Sequence, residues 1–131
     1  MDTLTTVWAP RLLSVLRIVS ALIFLAHGTQ KLFGFPPSER GSPELLSMIG
    51  VAGIIETVGG VLLVLGLFTR PTAFLCSGLM AAAYWIAHAP RSFYPILNNG
   101  DAAILYCFVF LYIFAAGAGP WSLDKLRESK G

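Results

Sequence analysis

Four long apolar stretches alternate with short breaks rich in proline, glycine and charge. The first, residues 11–33 (RLLSVLRIVSALIFLAHGTQKLF), is long and apolar enough to cross a bilayer as a helix. Trp8 before it favours the headgroup zone, and Pro10 suits a helix start. Pro36 and Pro37 in the following GFPPSERGS run prevent the helix from continuing. A second helix is expected at about 45–68, with Ser42 as cap, Pro43 in the first turn and Glu44 at the positive end of the dipole. Thr69-Arg70-Pro71 leaves almost no loop, so the second and third helices must form a tight antiparallel hairpin. The third is expected at about 72–89. After a break from Pro90 to Asn98, Asn99-Gly100-Asp101 opens a fourth at about 99–118, with asparagine as cap and Asp101 in the first turn. Gly117, Gly119 and Pro120 end it, Trp121 marks an interface, and a charged tail closes the chain. The pattern predicts an all-α fold: one integral-membrane antiparallel four-helix bundle over residues 1–131, with polar ends at 1–10 and 122–131.

The apolar stretches are not uniformly apolar. At about 100° per residue, Arg17, Ser20, Phe24, His27 and Lys31 share one face of the first helix. Hydrocarbon rejects such a stripe, so it should face protein or a watery pocket. The second helix carries one charge, Glu56, near mid-membrane. A lone carboxylate there must be paired, protonated or hydrated. Arg17, Lys31 or a protonated His27 would serve as its partner, and proton handling or ligand binding is the other reading. Gly50, Gly53, Gly59, Gly60 and Gly66 in the same helix permit close helix packing in lipid.

Composition agrees with a membrane setting. The 131 residues are 56% hydrophobic and 12% charged, with mean hydropathy +0.72; soluble domains carry about 25% charge. A net charge of +2 with dispersed basic residues argues against nucleic acid. Cys76 and Cys107 form no CxxC, haem-attachment or zinc motif and read as core residues. The first stretch is longer than a signal-peptide apolar region and no A-x-A site comes after it, so it is expected to be a retained span.

Four spans put both ends on one side. That side would hold Arg11, Arg17, Arg70, Lys125, Arg127 and Lys130, against Lys31, Arg40 and Arg91 on the other. The positive-inside rule then places the termini in the cytoplasm. His27, Lys31, His88, Asn99 and Asp101 would lie toward the outer half, with Glu56 near the centre and Arg17 in the inner third. Tyr84 lies one turn from His88 on the same face. These residues are the candidate ligand-binding set, with Glu56 and His27 as candidate proton-handling groups. His27 and His88 are also the one conceivable bis-histidine haem pair, but hydrogen bonding is the preferred role for both, and no metal site is expected.

The order Arg17…His27-Gly28-x-x-Lys31-Leu32, Glu56-x-x-Gly59-Gly60, Gly66-Leu67-Phe68-Thr69-Arg70, Asn99-Gly100-Asp101 and Gly117-x-Gly119-Pro120-Trp121-Ser122-Leu123-Asp124 resembles the DoxX family of membrane proteins. The resemblance runs from about Arg11 to Lys125. A common departure elsewhere is Asn-Gly-Glu where this chain has Asn-Gly-Asp. It implies a four-helix protein of the bacterial inner membrane. It also implies relatives that are subunits of quinone-linked oxidoreductases or companions of redox and detoxification proteins, and no settled catalytic set.

The leading expectation is therefore a redox-associated membrane subunit. It would bind a quinone or similar amphipathic ligand in an outward-facing polar pocket, and a partner subunit would supply electrons. The alternatives are a scaffold whose polar network is purely structural, and a small-solute or proton-coupled transporter that would need a homo-oligomer.

Overall fold

The computed structural model describes residues 2–38 and 46–130. All regular structure among these residues is helical, with no strand. Helix α1 (Ala9–Phe33) continues a π-helical lead, Leu4–Trp8, so the first helix starts before the expected Arg11. Pro10 sits in its first turn, where a missing N–H costs nothing. Gly34, with φ 69°, ends it.

Helix α2 (Met48–Leu65) begins three residues later than expected. The proposed Ser42-Pro43-Glu44 cap lies outside the described residues. The observed cap is Ser47, whose hydroxyl accepts the Gly50 amide at 3.1 Å. Gly66, with φ 69°, stops α2 short of the expected Phe68; the Leu67 amide reaches back to the Leu62 carbonyl, closing a left-handed cap that a Cβ would strain.

Helix α3 (Thr69–Ala83) begins three residues earlier than expected, for a reason no local pattern could show. Phe68, at φ 51°, makes the turn, and the cap comes from Asp124, 55 residues further on. The helical path continues through Tyr84–His88 and Ala89–Arg91. The short α4 (Pro95–Asn98) ends at Asn99, which is left-handed at φ 60°. Thus Asn99 terminates α4 instead of capping the next helix. Helix α5 (Asp101–Ala116) starts from Gly100 without a side-chain cap, and the charged tail forms α6 (Leu123–Lys130).

The helices pack as two antiparallel pairs, α1 with α2 and α3 with α5, joined by α2–α3 and α1–α5 contacts. The α1–α2 approach is close because glycines line it. A Cβ on Gly28 would lie 2.6 Å from the Thr57 amide nitrogen, and one on Gly53 would lie 3.0 Å from the Lys31 Cβ. The buried core is narrow, built on Phe24, Leu63, Phe110 and Ile113. Leu22, Ile23, Phe74, Leu75, Leu105 and Phe108 face outward. Water would make that surface aggregate, whereas lipid solvates it. Three helical stretches are long and apolar enough to cross a membrane, Leu4–Phe33, Met48–Leu65 and Thr69–Arg91, and α5 is a shorter apolar helix.

Candidate functional site

The antiparallel pairing gathers the chain's intramembrane polar groups at its two ends. One end holds the close of α1, the start of α2, the close of α3 and the start of α5. Gly53, Glu56, Gly60 and Leu63 form the buried stripe of α2, at spacings of three and four. The glycines bring α1 close enough for Lys31 to reach across. Its Nζ donates to both oxygens of Glu56, at 2.6 and 2.8 Å. The Glu56 side chain is 2% exposed and the Lys31 side chain 29%. Of the three partners expected for Glu56, Lys31 is the one that forms the ion pair.

His27 lies one turn before Lys31, exposed, with its ring edge-on to Tyr106 of α5 at 5.9 Å. The Glu56 charge also acts on His27 and Tyr106, so the four groups form one electrostatic cluster. Beneath it, Phe24 packs edge-on against Tyr106 and Phe110, closing the floor with aromatic rings.

His88 and Tyr84 keep different company. The His88 Nδ1 lies 3.0 Å from the Asn98 carbonyl, which only accepts, so Nδ1 carries the proton. Asn98 is fully buried and donates to the Tyr84 hydroxyl (3.2 Å) and the Ser92 carbonyl (3.0 Å). Its Oδ1 accepts the Gly100 amide at 2.8 Å. The organising residue of this loop is thus Asn98, not its neighbour Asn99, which is exposed. Asp101 is exposed in the first turn of α5. Among the described residues, neither His88, Asn99 nor Asp101 makes a hydrogen bond to Lys31 or Glu56.

Arg17 belongs to the opposite end and does not balance Glu56. It is fully buried and spends its guanidinium on backbone carbonyls. Nε donates to Leu63 at 2.8 Å, Nη1 to Ala118, and Nη2 to Trp121 at 2.7 Å. Ser14 donates to the Ala118 carbonyl and accepts the Trp121 amide. The Gly117–Ser122 segment is thereby tied to α1 and to the close of α2. The Asp124 oxygens then accept the Phe68 and Thr69 amides, each at 2.9 Å, while its own amide donates to the Gly66 carbonyl. Partial burial raises the Asp124 pKa, but the hydrogen bonds from Thr69 and Phe68 and the nearby Arg127 charge outweigh it and leave the value lowered. The sequence motifs Gly66-x-x-Thr69 and Gly119-Pro120-Trp121-Ser122-x-Asp124 are the two halves of this lock. A cleft of about 790 Å³ opens beside it, walled by Pro10, Leu13, Arg70, Tyr112 and Ala116. None of the sequence-nominated residues lines that cleft.

Comparison with known proteins places the chain in a family. The DoxX family profile matches residues 12–89, which covers α1 to α3. An uncharacterized protein of Haemophilus influenzae is 46% identical over 90% of this chain and 92% of its own length. The inner membrane protein YphA of Escherichia coli is 29% identical over 88% of this chain and 90% of its own. The uncharacterized membrane protein Rv3486 of Mycobacterium tuberculosis is 31% identical over 88% and 80%. No solved structure matches. With its apolar exterior, its glycine-lined helix pair and the profile match over most of its length, the chain belongs to the DoxX family of membrane proteins.

Proposed function

We propose that the chain is a four-span protein of the bacterial inner membrane, with cytoplasmic termini, that binds a quinone-like ligand at the Lys31–Glu56 pair and serves a redox partner. The observation that carries this reading is the asymmetry of that pair. An ammonium has three N–H donors. Two go to Glu56, and the third sits on a part-exposed side chain with no other acceptor among the described residues. A carbonyl oxygen would accept from Lys31, and the same oxygen reduced to a hydroxyl would donate to Glu56. Paired donor and acceptor at one point therefore suit both oxidation states of a quinone. His27 and Tyr106 would flank the ring. Electrons would come from the partner, since the chain has no covalent cofactor motif.

The test is binding of a short-chain quinone to purified protein, wild type against Glu56→Gln. The variant should bind about tenfold more weakly, the loss of one charge-assisted contact. If neither form binds quinone detectably, the ligand reading fails.

A second reading is favoured by the completeness of the other contacts. Both Glu56 oxygens are satisfied by Lys31, and each Arg17 guanidinium nitrogen donates to a carbonyl. On that reading the protein is a scaffold and its polar groups only hold helices. Glu56→Gln would then lower the melting temperature and leave any partner-dependent activity in step with the amount folded.

A further inference from the structure

The cleft at the termini end plays no part in quinone binding at Lys31 and Glu56, and its chemistry is specific. Four charged side chains line it: Arg70, Asp124, Lys125 and Glu128. Three are answered. Asp124 caps α3 and lies 3.9 Å from Arg127, and Lys125 lies 3.9 Å from Glu128. Arg70 makes one hydrogen bond, to the Ala115 carbonyl at 3.2 Å, and has no carboxylate at ion-pair distance among the described residues. Its guanidinium lies against Gly117, where a Cβ would meet Nη2 at 3.2 Å. Beside it Thr69, 1% exposed, keeps its hydroxyl buried close to Asp124. The cleft thus offers the Arg70 guanidinium as a donor without an ion-pair partner among the described residues. Much of the remaining wall is apolar, including Pro10, Leu13, Pro71 and Ala116 with the Tyr112 ring.

We propose that this cleft is a binding site for one anionic glycerophospholipid. Its phosphodiester takes the Arg70 guanidinium, and the upper part of one acyl chain lies against Leu13, Tyr112 and Ala116. A planar guanidinium matches two phosphate oxygens at once. The one guanidinium without an ion-pair partner matches one phosphodiester, whereas a zwitterionic lipid would bring its own ammonium to compete with Arg70. The site sits at the end where α1 and α3 begin and α5 closes, the level at which lipid headgroups meet such a protein.

The experiment is native mass spectrometry of the full chain in detergent with phosphatidylglycerol, phosphatidylcholine or inorganic phosphate. One phosphatidylglycerol should be retained in preference to phosphatidylcholine. Arg70→Gln should bind it about tenfold more weakly. Ala116→Trp, which fills the acyl wall and leaves Arg70 alone, should lose it, and this variant decides the matter if Arg70→Gln fails to fold. Equal retention of the two lipids, retention by Ala116→Trp, or full competition by inorganic phosphate would each overturn the proposal.

Discussion

The two ends of the molecule each bury a long cation, and they use it in opposite ways. Arg17 is aimed at three peptide carbonyls. Those acceptors are peptide groups that do not titrate, so the guanidinium works as a fixed staple. Lys31 is aimed at a carboxylate and remains part-exposed. Being part-exposed, the lysine can exchange that acceptor for another oxygen. The acceptor, more than the cation, decides whether a buried charge holds a structure or is free to do chemistry.

The largest effect should come from removing the staple. Arg17→Leu removes the charged donor from the Leu63, Ala118 and Trp121 carbonyls, and each such bond is worth about 1.5–3 kcal/mol. Little folded protein should survive extraction, as read by size-exclusion chromatography. A variant that melts like wild type would mean that Arg17 is not structural.

Next is the close approach that lets Lys31 reach its partner. Gly28→Val places side-chain atoms against the Thr57 backbone and should cost about 1–3 kcal/mol through overpacking. Because the α1–α2 seam would spread, quinone binding should fall as well. Spreading that leaves binding untouched would separate the ligand from this seam.

Asp124 gives a smaller effect with a defined sign. Asp124→Asn weakens a side-chain cap, worth about 1 kcal/mol. The folded-state pKa is lowered from an ordinary 3.8, so the carboxylate's contribution is complete above that value and is lost as pH falls through the lowered one. The wild-type melting temperature should drop over that acidic window more steeply than the variant's. Parallel acid profiles would contradict the assignment. Smallest of all, Asp101→Asn at the exposed start of α5 should change stability by about 0.5 kcal/mol or less and leave quinone binding unchanged.

Much of the contrast between the two ends could be read in the chain. The apolar runs located the long helices and the lone Glu56 announced a need for a partner, whereas Thr69-Arg70-Pro71, expected as the hairpin break, opens α3 and the turn falls at residues 66–68. The glycines of α2 pointed to close packing, and Gly53 and Gly60 do lie against α1. What could not be read was long-range. Arg17 meets Ala118 across 101 residues and Asp124 meets Thr69 across 55, so no local spacing revealed either contact. The start of α3 was misjudged for the same reason, since its cap comes from the tail. Asn98 was passed over for Asn99 because both are good caps by type. Only backbone geometry shows Asn99 left-handed and outward while Asn98 is buried among Tyr84, Ser92 and Gly100.

The contrast between the two cations comes down to one double variant, Lys31→Met with Glu56→Leu. Replacing a whole buried ion pair by apolar groups of similar size is often neutral in stability, whereas breaking one partner is not. The measurement is quinone binding to that variant, alongside its melting temperature. The account predicts a melt close to wild type and no detectable binding. Wild-type binding by the folded variant would show that the pair only holds helices together.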